Sequence, residues 1–530
     1  MSKWLTTWQP EDNNFWETEG KKTAWKTLWI TTFALIFSFA TWFVMSAIVV
    51  KLPGLGFKYT KDQLFWLAAM PGLAAGILRI IHTFLLPIYG TRKVVSVATL
   101  LKLIPVIGIG FAVMDPTTPF WWFMILAFTA GFGGGDFSSF MPSTNLFFPK
   151  RLKGTALGIQ AGIGNFGVSV VQFVTPLIIG IGTYGAAATF TSVDAKETGK
   201  LFATLSDSTR TELFMSLNDE QQAKILSNAK TKIIDSVSTS INSKDSGLIL
   251  AALPMKAQAK ALGSSNPKLA EKVLGKIQES KACVKNKEIY IQSASFWFVP
   301  FLVILAFIAW FHLKSIPVKA SFKEQLDIFS NKHTWFCTIT YVMTFGTFAG
   351  LSAAFPLMIK FLYGDFPNAP DPLDYAFYGP LIGASSRVLF GFVADKVGGA
   401  ILTTITGIGI IAGSILLVTM HLVAPTSMEQ FPMFVTIMLG IFFFTGVGNA
   451  GTFRQYPIIF SENQRQAAGV IGWTAAIATF GPFIFNSLIG NNIKANGGAN
   501  AFFYGLIVFS IIATIVNYYY YNRKGCERPS

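Results

Sequence analysis

Arg79 and Arg387 lie in the apolar stretches PGLAAGILRIIHTF and GPLIGASSRVLFGF, and neither stretch contains a carboxylate. A guanidinium without a counter-charge at bilayer depth costs about 3 kcal/mol or more, so it persists where it faces a polar cavity and has a task there. The task that fits the residue type is holding an anion. Each arginine is reached from a run of small residues, and the two are 308 positions apart. That is the spacing of a duplicated transporter, with the substrate held between repeats near mid-membrane.

The elements that must position these arginines are membrane helices. Of 530 residues, 52% are hydrophobic and 13% are charged, and the mean hydropathy is +0.49. This is more apolar surface than a water-soluble core could hide. A spanning helix needs about 20 apolar residues. About twelve segments qualify by that measure: 27–50, 66–89, 94–114, 119–147, 154–185, 293–313, 335–362, 375–394, 399–423, 431–460, 466–490 and 500–521. The expected fold is an all-α membrane protein with two six-helix halves.

The formal charge of +15 does not point to nucleic acid, because the basic residues form no single stripe. With the amino terminus inside, Lys21, Lys22, Lys26, Arg92, Lys93, Arg151, Lys314 and Arg523 fall on the cytoplasmic side. The short connections around Asp115, Asp365 and Glu429 are poor in Lys and Arg, as the positive-inside rule requires. Both termini are therefore expected in the cytoplasm. The first apolar segment ends without a small-residue cleavage site and reads as a retained helix. Cys283, Cys337 and Cys526 give neither a disulfide framework nor metal-ligand spacing, and the four histidines are scattered. No cofactor or metal is expected, and no nucleophile–base pair suggests an enzyme.

The predicted organisation is a cytoplasmic lead at 1–26, a first bundle at 27–185 and 293–313, and a cytoplasmic linker at 314–334. A second bundle follows at 335–522 and a tail at 523–530. Residues 186–292 interrupt the first bundle with Ser, Lys, Asp, Asn and Ala, too polar for the bilayer. This extracytoplasmic insertion is expected to carry a helix capped by Asn218–Gln221 and another starting at Asn266-Pro267. Its simplest role is a small cap, and a docking surface for an unknown partner is the alternative.

Duplication extends beyond the arginines. Gly131, Gly133 and Pro142 in the fourth span recur as Gly446, Gly448 and Pro457 in the tenth. In the fifth span Gly154, Gly158 and Gly162 share one helical face, a spacing that lets helix backbones approach in lipid. Gly133-Gly134-Gly135 is no phosphate cradle, because it sits inside an apolar span with no strand before it.

The stretch AGFGGGDFSSFMPSTNLFFPKRLKGTALGIQAGIGNFG resembles the first nitrate signature of the nitrate/nitrite porter family, NarK type, of the major facilitator superfamily. So do TTWQPEDNNFW, KLPGLGFKYTKDQLFWLAAMP, TYVMTFGTFAGLSAAF and GVGNAGTFRQYPIIF, while GFVADKVGG is similar to the general facilitator loop motif. The resemblance covers nearly the whole chain outside the insertion. It implies that Arg79 and Arg387 clamp nitrate or nitrite, that Phe39, Phe137, Tyr341 and Phe345 wall the cavity, and that Asn165 faces the substrate. A guanidinium fork suits a planar oxyanion better than a lysine point charge does.

The chain departs from the family pattern at Asp136, where asparagine is usual, and at Arg454, where glutamine is expected. Lys102 adds a charge halfway through the third span. Counted from the helix ends, Lys102 and Asp136 lie at depths of roughly 15 and 18 Å, so they could pair. Arg454 is an alternative partner for Asp136, and gating or proton coupling remains open for both Asp136 and His82. The expected function is nitrate/nitrite transport by alternating access through the bilayer of a bacterial cytoplasmic membrane, as a monomer. Nitrate–nitrite exchange is the first reading and proton–nitrate symport the second. An anion receptor on a transporter scaffold is the alternative from another class.

Overall fold

The computed structural model describes residues 4–182, 184–193, 284–316, 326–364, 366 and 370–530. The helices expected around Asn218 and Asn266 lie outside these residues. Eleven helices among the described residues are long and apolar enough to cross a membrane. They are α1 (Asn13–Ile48), α2 (Lys61–Thr83), α3 (Ile88–Ala112), α5 (Thr155–Ile178), α6 (Ser293–His312), α7 (Lys332–Tyr363), α8 (Pro372–Val397), α9 (Gly399–Thr419), α10 (Met428–Ile459), α11 (Gly469–Asn496) and α12 (Asn500–Asn522). The twelfth, α4, is a span broken at Gly131 and Asp136 into Phe120–Ala130, Phe132–Gly135 and Phe137–Phe147. Its glycine run explains the breaks, since residues without a side chain hold a helix weakly.

Those glycines also set the packing inside each half. A Cβ on Gly133 would fall 2.1 Å from the Ser38 carbonyl oxygen of α1, and one on Gly131 2.6 Å from that of Pro71 in α2. In the second half Gly446 meets the Gly383 carbonyl of α8 at 2.2 Å in the same sense. Thus α4 lies on α2 as α10 lies on α8, and the duplicated glycines mark the duplicated contact. In α5 the expectation needs correcting. The backbone approach to α1 is made by Gly164 and Gly167, whose Cβ atoms would meet Leu35 and the Ile36 carbonyl. Gly162 instead faces Val388 of α8, and nothing lies within 4 Å of a Cβ on Gly158. The 158–162 face therefore belongs to the seam between halves.

That seam has two sides, α5 against α8 and α2 against α11. On the second side Gly72 meets the backbone of Phe483, and Gly76 meets the Phe480 ring. Between the seams the halves enclose the arginines.

Two regions differ from the polar segments expected. The lead is helical from Asn13, capped by the Asp12 carboxylate. Its Trp16 is buried against Phe148 at 5.8 Å, in a cluster with Ala24, Leu28 and Phe147. The insertion begins and ends as an antiparallel ribbon, β1 (Ala188–Val193) paired with β2 (Val284–Ile289), a small exception to the all-α expectation. Gln292 donates from Nε2 to the carbonyls of Tyr184 and Ala186, and Tyr290 donates its backbone N–H to Ile179. These bonds hold the ends of α5 and α6 together.

Candidate anion site between the two halves

Arg79 sits on α2 and Arg387 on α8, at corresponding places in the two halves, and their exposures are 0% and 4%. Arg79 donates from Nε to the Gly134 carbonyl (2.8 Å) and from Nη1 across the seam to the Ala475 carbonyl (2.9 Å). Among the described residues its Nη2 has no hydrogen-bond partner, and neither has Nη1 or Nη2 of Arg387. Neither arginine has a carboxylate within ion-pair distance among the described residues. Three buried guanidinium nitrogens are thus left open, and the two cations are near enough to repel each other.

Aromatic rings enclose this pair. The Arg79 Cζ stands 4.7 Å from the Phe137 ring centre, 5.3 Å from Phe345 and 5.6 Å from Trp42. That of Arg387 stands 4.6 Å from Phe453. Phe137 and Phe345 lie at 25° with centres 6.5 Å apart, and Phe39 meets the edge of Phe137 at 6.3 Å. A wide i→i+5 turn at Val342–Gly346 brings residues four apart into line. Accordingly Tyr341 and Phe345 stack at 7° and 5.4 Å. The Tyr341 hydroxyl is in electrostatic reach of both guanidinia, but hydrogen-bond geometry to either is not met. Ring faces toward a cation add attraction where water is excluded.

Asn165 is fully buried, and both its amide atoms lack partners among the described residues. It lies one turn beyond Gly162, which meets Val388, the neighbour of Arg387, and so stands on the α5 side of the same seam. Phe39, Phe137, Tyr341, Phe345 and both arginines therefore come together, with Asn165 buried in the adjoining seam. Phe453 and Trp42 also belong here, and sequence reasoning passed over them. Phe453 stood inside the quoted motif GTFRQYP, one residue from the charge that drew attention.

Among the described residues none of the coupling candidates bonds to either guanidinium, and Asp136 is in electrostatic reach of Arg79. Lys102 and Asp136 form a fully buried ion pair, and Ser38 Oγ donates to the same carboxylate oxygen at 2.6 Å. His82 Nδ1 lies 2.9 Å from Ser139 Oγ. Arg454 is not a partner of Asp136. Its Nε pairs with Asp395 at 2.8 Å, because its side chain leaves α10 toward the partly exposed end of α8.

Two six-helix halves packed in this way form the fold of the major facilitator class. In solved structures the fold is matched by a bacterial homolog of the human lysosomal transporter Spinster, in an inward-facing and occupied conformation. The TM-score is 0.53 at 13% identity, over 93% of this chain and 95% of that one. The chain belongs to the nitrate/nitrite porter family. It is 48% identical to the probable nitrate/nitrite antiporter NarK2 of Thermus thermophilus, over 99% of this chain and 98% of that protein. Identity to the nitrate/nitrite transporter NarU is 29% for Salmonella typhimurium and 28% for Escherichia coli, over 98% of this chain and 96% of each relative. A family described as the MgtE intracellular N domain matches residues 182–276, from the end of the fifth span through most of the insertion.

Proposed function

We propose that this protein exchanges nitrate and nitrite across the cytoplasmic membrane of a bacterium by alternating access, with both termini in the cytoplasm. The observation that carries the reading is the buried arginine pair, one from each half, with three open guanidinium nitrogens inside an aromatic cage. Arg79 and Arg387 hold the planar oxyanion by charge-assisted hydrogen bonds. Phe39, Phe137 and Phe345 exclude water and leave a slot too flat for tetrahedral anions, while Asn165 and Tyr341 offer polar contacts. Exchange follows from the charges. Closing an empty site strengthens the repulsion between the cations as water leaves, and an anion between them offsets that cost. Loaded protein therefore crosses between states and empty protein stalls.

Symport has less support, because one oxygen of Asp136 is engaged by both Lys102 and Ser38. The test is counterflow in proteoliposomes. Internal nitrite should accelerate nitrate entry without a pH gradient, and entry that depends on the gradient would reject exchange.

A further inference from the structure

Asn449 of α10 is fully buried, and among the described residues neither its Nδ2 nor its Oδ1 has a hydrogen-bond partner. A buried amide left unsatisfied is costly, and such groups are rare in folded proteins. Packing alone would favour Leu or Met at this position. The helix phase says where the amide points. Asn449 shares a face with Phe453, one turn on, which stands 4.6 Å from the Arg387 Cζ and 5.6 Å from the Tyr341 ring. Gly446, one turn back, meets Ser386, and Gly448 meets Thr344 of α7, so Asn449 is directed between Arg387 and Phe345.

Asn165 stands in the same condition in the opposite half. Each half thus presents one buried arginine with open nitrogens and one buried asparagine with an open amide. We propose that Asn449 is a second amide donor to the transported oxyanion, giving from Nδ2 to an oxygen that the two guanidinia leave free. Nitrate has three oxygens and nitrite two, so a donor aimed at the extra oxygen would favour nitrate. A selective role follows for Asn449, acting from the carboxy-terminal half.

This inference rests on the reading of the arginine pair as an oxyanion site, and the experiment separates the two. Wild-type protein, Asn449→Leu and Asn449→Ser are purified, checked for monodispersity and reconstituted, and counterflow KM is measured for nitrate and nitrite. The leucine variant should raise KM for nitrate about tenfold and for nitrite less, with serine recovering part of the loss because it keeps a donor. A leucine variant with wild-type KM for nitrate, or a serine variant no better than leucine, overturns the assignment. If leucine does not yield folded protein, serine alone decides: KM must rise for nitrate more than for nitrite. Wild-type protein that moves neither ion rejects the site reading itself, whatever the variants do.

Discussion

Lys102 and Asp136, contributed by the third and fourth spans, form a fully buried ion pair inside the first half, with Ser38 as a third member. Asp136 immediately precedes Phe137, a ring of the cage, and its charge reaches Arg79. Breaking a buried pair by removing one partner costs about 3–5 kcal/mol, whereas removing both can be neutral. Asp136→Asn alone should lower stability and exchange sharply, and adding Lys102→Met should restore both. Thermal unfolding in detergent and counterflow would complete the double-mutant cycle. A stable Asp136→Asn protein that loses only pH-driven uptake would make Asp136 a proton carrier instead.

At the end of the molecule opposite its termini, ionic contacts tie the two halves. Lys51 pairs with Asp371, Lys360 donates to the Val50 carbonyl, and Lys494 reaches Asp62 at 3.1 Å. A small crevice beneath them, with room for about one water molecule, is lined by Trp42, Ser46 and Pro71 from one half and Ala353 and Pro482 from the other. Asp371→Asn should favour the state open on this face. Partly exposed pairs contribute about 0–1 kcal/mol, so the expected shift in population is up to roughly fivefold. Maleimide labelling of Ser46→Cys from this face should rise accordingly, and an unchanged rate would remove these contacts from the gate.

The insertion touches this same region through its base. Phe190 of the ribbon lies 5.4 Å from Lys51 Nζ and fills the space beside Gly54. Replacing 194–283 by a short turn should leave transport within about twofold of wild type, since exposed insertions are tolerated where the flanking backbone stays bonded. Cutting deeper, to remove 190–288, should loosen the Lys51 contact and change the rate. Loss of transport on the shallow deletion, with protein still inserted, would give the insertion a direct role.

The carboxy-terminal tail folds back on the second half. Glu527 accepts from Lys332 at 2.8 Å and lies 3.1 Å from His333 Nε2. Lys332, and after it His333, hold the Glu527 carboxylate below the usual glutamate range. A carboxylate depressed in the folded state keeps its contribution above its unfolded pKa, about 4.3, and loses it as pH falls through the lower folded value. The clasp should therefore hold at pH 5 and open only as pH falls below the unfolded value of about 4.3 and through the lower folded one. Labelling of buried Cys526 with a disulfide reagent active in acid, in a Cys283→Ser background, should rise over that interval. Glu527→Gln should label quickly throughout, and equal rates for the two proteins would dismiss the clasp.

Much of this was legible in the sequence because hydropathy and membrane charge rules constrain helices strongly. Arg79 and Arg387 stood out as cations that lipid does not tolerate alone, and the depths of Lys102 and Asp136 already allowed their pairing. Phe453 and Trp42 did not stand out, since in a chain with 51 phenylalanines and 13 tryptophans residue type says nothing about which ring faces a cavity. Asn449 gave no signal because an uncharged amide inside a span looks like any helix-bonding polar group. Lys51 gave no signal either, for its partner lies 320 positions away in the other half. Arg454, offered only as an alternative partner of Asp136, pairs with Asp395 instead, and depth along a helix does not reveal the face from which a side chain leaves.

The most direct test of the central claim is equilibrium nitrate binding by purified protein, compared for wild type, Arg79→Lys and Arg387→Lys. Lysine preserves the charge but loses the planar fork. The account predicts one saturable site in the wild type, competed by nitrite, and a loss of at least tenfold in affinity in each variant at an unchanged unfolding temperature. Wild-type affinity in either folded lysine variant would contradict it.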